Sequence, residues 1–248
     1  MENEIAQGTT PTGDAVLVAG GTGSRFGQAL PKQFCTLAGK PIILHTLERF
    51  LQHPGIERVV IVVHPDHLST WQNLLAASSL SAAEKAMVQA TGGGATRTLS
   101  VWNGLQALQN TPNTEGRSGQ PALVAIHDAV RPFVSAKMIT DSLQSATLYG
   151  SGICCVQVKS SIRQRTGNSS RAVDRSSFYH VQTPQTFQFA PLYKAYQQLK
   201  AETFTDDASL FEVAGHPVYL VDGSYNNLKI TTPEDQWVAE AILQKQQL

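Results

Sequence analysis

Two cations sit close to a run of glycines near the start of the chain. Val18-Ala-Gly-Gly-Thr-Gly-Ser-Arg-Phe-Gly27 is followed by Leu30-Pro-Lys-Gln33, which puts Arg25 and Lys32 beside Gly20, Gly21 and Gly23. Glycines let backbone N–H groups approach phosphate oxygens closely, and fixed positive charge offsets the charge that develops in phosphoryl or nucleotidyl transfer. The loop lacks the Gly-Lys-Ser/Thr ending of a P-loop. It also misses the G-x-G-x-x-G dinucleotide spacing by one place, because Phe26 stands where the third glycine belongs. A nicotinamide-type turn is therefore disfavoured. Taken alone, the loop is equally a surface turn with two solvated cations.

Further groups suited to phosphate or sugar chemistry recur along the chain. Gly92-Gly-Gly-Ala-Thr-Arg-Thr-Leu-Ser100 is a second glycine loop, carrying Arg97. His127-Asp-Ala-Val-Arg-Pro132 brings Asp128 and Arg131 together, either as a polar pair facing a cleft or as a local ion pair. Lys229 precedes Thr231-Thr-Pro233. His127 reads as a packed strand-end histidine rather than a base.

These residues need elements to place them. Ala15–Ala19, Val59–Val63, Ala86–Ala90, Ala122–Ile126, Gly152–Val158 and Pro217–Val221 have the length and apolar character of buried strands. Helical patterns fall between them at 41–51, 66–76, 96–108 and 135–149, then at 191–200 and 207–214, with a last helix opening at Thr232-Pro-Glu-Asp235. The alternation predicts an α/β, Rossmann-like and mostly parallel sheet with helices on both faces. Polar alternation around Gly167-Asn168 breaks the pattern. It predicts an extended β-arm at about residues 157–182, inserted in a single domain over 1–248.

Composition narrows the class. Of 248 residues 42% are hydrophobic, enough for a core, and 19 basic residues balance 19 acidic ones, unlike the basic excess of a general nucleic-acid binder. No apolar run approaches the ~20 residues of a membrane span. The polar start Met1 to Gly13 is unlike a secretory signal. Three cysteines, Cys35, Cys154 and Cys155, make no disulfide framework and suggest a reducing cytoplasm. Cys154 and Cys155, adjacent in a strand, should point to opposite faces.

Seven blocks in one order carry a resemblance: the first loop with Pro31-Lys-Gln33, the second loop, the His127–Pro132 block, Val173-Asp-Arg175, Gln182-Thr-Pro-Gln185, Thr205-Asp-Asp-Ala-Ser209 and Asn227-Leu-Lys-Ile-Thr231. Over about residues 14 to 245 the chain resembles the sugar-phosphate nucleotidylyltransferases, in particular the 2-C-methyl-D-erythritol 4-phosphate cytidylyltransferase family. The resemblance implies transfer of the cytidylyl group of CTP to that polyol phosphate, with Mg²⁺ and release of pyrophosphate, in non-mevalonate isoprenoid synthesis. Ala19, Gly20, Gly21, Thr22, Gly23, Ser24, Gly94, Arg97, Ser100 and Asp128 would hold the nucleotide, and Asp128 the metal. Arg25, Lys32 and Lys229 would stabilise the reacting phosphates. Asp128, Arg131, Thr183 and Thr205 would orient the acceptor. The arm would embrace a second subunit, forming a homodimer and placing Ser161 and Arg175 in the partner's acceptor site. Ser161 stands where threonine is usual in the family, and Ala95 where an acidic residue is frequent. D-ribitol-5-phosphate cytidylyltransferases share much of the pattern, and a non-catalytic nucleotide-binding protein of the same fold is the rival of a different class.

Overall fold

The structure is a computed structural model that describes residues 11–21, 31–111 and 120–246. The chain runs through strand β1 (Gly13–Ala19), a two-stranded ribbon of β2 (Thr36–Leu37) and β3 (Lys40–Pro41), helix α1 (Ile42–Leu51) and β4 (Ile56–Val63). Then come α2 (Leu68–Ala77), α3 (Ala82–Ala86), β5 (Val88–Gly92), α4 (Arg97–Gln109), β6 (Leu123–Asp128), α5 (Ala136–Tyr149) and β7 (Ser151–Gln157). A second ribbon, β8 (Ile162–Thr166) with β9 (Ser169–Val173), leads to β10 (Tyr179–Gln188), α6 (Phe189–Leu199), α7 (Asp207–Val213), β11 (Leu220–Asp222) and α8 (Pro233–Gln246).

Seven strands make one sheet in the order β11-β7-β10-β6-β1-β4-β5. The pairs of β1 with β4 and β6, β4 with β5, and β11 with β7 are parallel. The expected strand at 86–90 begins two residues later, because helix α3, opened by the reciprocal capping box of Ser81 and Glu84, takes Ala86 as its last residue.

Strand β10 has no counterpart in the sequence reading. It lies between β6 and β7 and runs antiparallel to both. The chain leaves the sheet after β7, makes the β8–β9 ribbon and must return the way it left, so the strand beside β7 runs backwards. The segment outside the main sheet is accordingly shorter than 157–182: Ser151–Gln157 is β7, and Tyr179 already pairs with Gln157. The ladder to β7 skips between Val181 and Gln185. Gln182, Thr183 and Pro184 occupy that bulge, where a proline without an N–H costs no ladder bond; the Thr183–Pro184 peptide is cis.

Alternation along the strands feeds two cores. Leu17, Ile61 and Val63 pack under α1, α2 and α5, whereas Val16, Val60 and Val62 pack under α4, α6 and α7. Cys154 joins the first core, and the Cys155 sulfur lies 3.6 Å from the Val221 carbonyl on β11. A third cluster joins Leu37 and Ile42 to Val130, Ile230 and Ala239 of α8, with Leu228 packed against it. Helix α5 meets the sheet along small residues: Thr186 donates to Ser142 at 2.8 Å and Ser145 to the Ser151 carbonyl at 2.7 Å.

Gly152 belongs to that seam. A Cβ there would stand 2.4 Å from the Ser142 carbonyl oxygen. Gly152→Ala must therefore push α5 off the sheet, at a cost of about 1–3 kcal/mol, and the unfolding midpoint should drop by roughly 2–4 °C for each kcal/mol. An unchanged midpoint in thermal unfolding would contradict this contact.

His127 is the buried polar member of β6. Its ring lies 4.9 Å from that of Phe50, and Nε2 meets the Arg131 carbonyl at 3.1 Å. Burial, against a small opposing pull from that carbonyl, pushes the imidazole down to about 4. The unfolded chain takes this proton near pH 6.5 and the folded chain only near 4, so acid favours unfolding between those values. The stability at issue is complete above about pH 6.5 and amounts to about 3 kcal/mol at 1.36 kcal/mol per pH unit. Denaturant titrations from pH 7 to 4.5 should show His127→Gln losing less stability than the unaltered chain by about this amount. His45 and His53, also depressed chiefly by burial, contribute equally to both proteins.

Candidate active site

Parallel strands end together at one edge of the sheet, where open α/β folds bind ligands. Ala19 ends β1, Gly92 ends β5 and Asp128 ends β6. The Gln33 side chain, almost fully buried, clamps the start of the first glycine loop, donating to the carbonyls of Ala19 at 2.7 Å and Gly21 at 3.2 Å. Lys32 precedes it in the short turn Lys32–Phe34. Thr22, Gly23, Ser24 and Arg25 lie outside the described residues.

The second glycine loop folds onto the N-terminus of α4. Thr96 caps the helix by accepting from the Leu99 N–H at 3.1 Å. Ser100 accepts from the Gly94 N–H at 3.1 Å and donates to the Thr96 carbonyl at 2.9 Å. The Ser100 hydroxyl is thus engaged in shaping the loop. The glycines are required by space: a Cβ on Gly20 would stand 3.1 Å from the Ser100 hydroxyl, and one on Gly94 2.4 Å from Leu99 Cβ.

At the centre stands Asp128, buried at the end of β6. Lys229 Nζ lies 3.0 Å and Arg131 Nε 3.1 Å from its Oδ2 oxygen. Burial alone would raise this carboxyl; Lys229, Arg131 and Arg97 outweigh it and hold the group well below the usual carboxylate range. The ion pair between Asp128 and Arg131 is therefore real, and Lys229 makes it a triad.

The bulge in β10 sets the backbone of this triad. Thr183 Oγ1 accepts from the Asp128 N–H at 3.0 Å. The buried Asn227 side chain donates to the Thr183 carbonyl at 2.8 Å, and the Asn227 carbonyl accepts from Arg131 Nη1 at 2.9 Å. Leu228 and Ile230, on either side of Lys229, are held in the third core cluster. Lys229 is thus fixed at its root while its ammonium stays partly exposed.

Two cavities open around the triad. One, of about 450 Å³, is lined by Ala19, Gly20, Gly21, Lys32, Gly94 and Ser100. The other, of about 380 Å³, is lined by Arg131, Thr183 and Thr205. Arg97, Asp128 and Lys229 line both and form the wall between them. Ala19, Gly20, Gly21, Gly94 and Ser100, expected at a nucleotide, thus lie on one side of the wall, and Arg131, Thr183 and Thr205, expected at an acceptor, on the other.

Ser161 and Arg175 do not join them. Ser161 is exposed at the start of the β8–β9 ribbon. Arg175 donates to the Lys159 carbonyl and lines a third cavity with Lys159 and Tyr225, whose ring carries the Lys159 ammonium 3.4 Å from its centre. Among the described residues no group of three or more His, Cys, Asp or Glu could hold a metal ion.

Several site residues escaped the sequence reading. Gln33, Gln182, Gln185, Asp207 and Asn227 all lie inside the ordered blocks, which was their signal, yet amides and a helix-start aspartate announce no chemistry of their own. Gln185 accepts from the N–H groups of Asp207 and Ala208 at 3.1 and 3.0 Å, and so ties β10 to α7.

The chain is similar throughout its length to proteins of one kind. Residues 14–245 match the family model of 2-C-methyl-D-erythritol 4-phosphate cytidylyltransferase. The enzyme of that name from Porphyromonas gingivalis is 41% identical over 230 residues, covering 92% of this chain and 96% of its own. The Geobacillus kaustophilus enzyme of that name is 39% identical, covering 93% and 96%. Among solved structures, the 4-diphosphocytidyl-2C-methyl-D-erythritol synthase of Anaerococcus prevotii superposes with a TM-score of 0.77 at 26% identity, over 95% of this chain and all of that one. The 2-C-methyl-D-erythritol 4-phosphate cytidylyltransferase of Thermus thermophilus gives 0.70 at 29%, over 92% and 98%. With this coverage, the fold and the ordered motifs agreeing, the chain belongs to the 2-C-methyl-D-erythritol 4-phosphate cytidylyltransferase family.

Proposed function

We propose that this chain transfers the cytidylyl group of CTP to 2-C-methyl-D-erythritol 4-phosphate, giving 4-diphosphocytidyl-2C-methyl-D-erythritol and pyrophosphate for isoprenoid synthesis. The observation that carries the reading is the wall of Arg97, Asp128 and Lys229 between the two cavities. CTP occupies the glycine-lined compartment, with its phosphates toward Lys32 and the wall. The acceptor phosphate enters from the side of Arg131, Thr183 and Thr205. It attacks the α-phosphorus in line, the bond to the β-phosphate oxygen breaks, and pyrophosphate leaves with that electron pair. Lys32 and Lys229, with Arg25 of the first loop, stabilise the charge gathering on the phosphoryl oxygens. A phosphate monoester is already a nucleophile, so a general base is not needed. His127, buried and held neutral, fits that division of labour.

Asp128 is the carboxylate assigned to magnesium. Arg131 and Lys229 both bind its Oδ2, and Oδ1 accepts no hydrogen bond from a described residue. That suits an ion held by one or two carboxylates together with phosphates and waters. Magnesium there supplies neutralisation of the triphosphate.

The β8–β9 ribbon is read as a dimerisation arm that carries Ser161 and Arg175 to the acceptor compartment of a second copy. Arg175 lies outside both compartments of its own chain, and Phe178, Tyr179 and Val181 beside the ribbon are exposed apolar surface. A reducing, cytoplasmic setting goes with three buried cysteines, none of them in a disulfide.

Pyrophosphate release with Mg²⁺ and CTP tests the assignment, with 2-C-methyl-D-erythritol 4-phosphate and D-ribitol 5-phosphate offered separately. Turnover confined to the first, abolished by EDTA, is expected. Turnover with ribitol phosphate would overturn the acceptor assignment, and silence with both in a folded chain that binds CTP would overturn the enzymatic one. In the same assay Lys32→Ala should lower kcat by roughly 100-fold or more while the Kd for CTP changes little. Mixing the Lys32→Ala and Arg175→Ala chains should restore turnover that neither has alone, because one of the two mixed sites then holds both residues. No recovery in a verified mixed dimer would rule out the shared site.

A further inference from the structure

Arg97 is held unlike the other cations of the wall. It is the first residue of α4, and its guanidinium reaches across to Asp207, the first residue of α7. Nη1 donates to Oδ1 at 2.9 Å and Nη2 to Oδ2 at 2.6 Å. Asp207 is completely buried, and the buried Tyr196 of α6 donates its hydroxyl to the same Oδ1. Gln185 fixes the Asp207 backbone from β10. Three elements thus converge on one residue, whose two carboxylate oxygens are spent on Arg97 and Tyr196.

Stability alone does not ask for this arrangement. A buried ion pair gains little over apolar side chains of the same size, because desolvation offsets the attraction. The pair does fix direction. A bidentate carboxylate sets the plane of a guanidinium, which a lysine at this position could not offer. Two of the five N–H donors of Arg97 are used on Asp207, and the others have no partner among the described residues. The Arg97 side chain is 26% exposed, on the wall that both cavities share.

We propose that Arg97 donates to the phosphoryl group as it passes between the two compartments, and that Asp207 and Tyr196 are positioning residues that hold the Arg97 fork in that direction. The inference rests on the transfer reaction proposed above. Its ligand chemistry is a phosphoryl oxygen contacted from a fixed angle, and its contribution belongs to the transition state more than to CTP binding.

Steady-state kinetics on the full chain, well below every unfolding midpoint, tests this. Asp207→Asn keeps the shape but loses the charge and one acceptor, and should lower kcat by about 100-fold. Tyr196→Phe removes only the hydroxyl and should lower kcat roughly tenfold. In both, KM for CTP should move less than about threefold. If Asp207→Asn does not fold, Tyr196→Phe decides. A wild-type kcat in Tyr196→Phe, with only a lower midpoint, would overturn the proposal. The Arg97 Nε–H resonance, assigned by its loss in Arg97→Lys, provides a readout independent of turnover. It should shift when CTP is added to the unaltered chain and broaden in Tyr196→Phe; a resonance that CTP leaves unmoved would overturn the inference. Silence of the unaltered chain with both acceptors would instead sink the transfer reading, and the resonance would still decide the placement of Arg97.

Discussion

A buried carboxylate has to be neutralised where it stands, and much of this site follows from how Asp128 meets that demand. Lys229 and Arg131 both come to its Oδ2 oxygen. Each must be brought from another part of the chain or turned back on itself. Arg131 turns back because its carbonyl and guanidinium are held by His127 and Asn227. Lys229 arrives because Leu228 and Ile230 are anchored in an apolar cluster under α8. A charge at the end of one strand thus recruits Lys229 from about a hundred positions away, and the price of burying it is met by groups that are also suited to phosphate. The same groups that neutralise Asp128 are the ones a polyanionic substrate would draw away from it.

The antiparallel strand makes this possible. At the end of β6 the ladder to β10 has stopped, and the Asp128 N–H needs a partner other than a strand carbonyl. The bulge in β10 presents the Thr183 hydroxyl to that N–H, and Gln182 and Thr183 of the bulge, with Gln185 next to it, line the cavity that Arg131 and Thr205 share. The irregularity therefore lines that cavity. The glycine-lined cavity on the other side is shaped by a different device, the close approach of Gly94 to Leu99 and of Gly20 to Ser100.

The sequence carried the parallel half of the sheet because β-branched runs such as Val59–Val63 have one stable place, a strand covered on both faces. Lys32, Asp128, Arg131 and Lys229 stood out as charge beside glycine or at a strand end, and the structure brings the last three together. Strand β10 was not legible. Its polar stretch Tyr179 to Gln182 looks like exposed ribbon, and only pairing with β7 and β6 gives it a place. Tyr196 was silent for a related reason. In a helix with Leu192 and Ala195 it passes for a core aromatic, and the long-range partner Asp207 gives its hydroxyl a purpose. Gln33 and Asn227 stood within recognisable blocks, but an amide's role is set by which carbonyls fold back to meet it.

Chain order gives the α8 anchor one more meaning. The glycine loops, Arg97 and Asp128 leave the ribosome first; Asp207, Lys229 and the helix that seats Lys229 leave last. A nascent chain therefore holds its glycine loops before it holds the carboxylate that pairs with Arg97 or the ammonium that pairs with Asp128. Until Lys229 and the helix that seats it are made, Asp128 has Arg131 but lacks its second counter-charge. The Asp128 triad is thus completed only after the sheet and both glycine loops have been made.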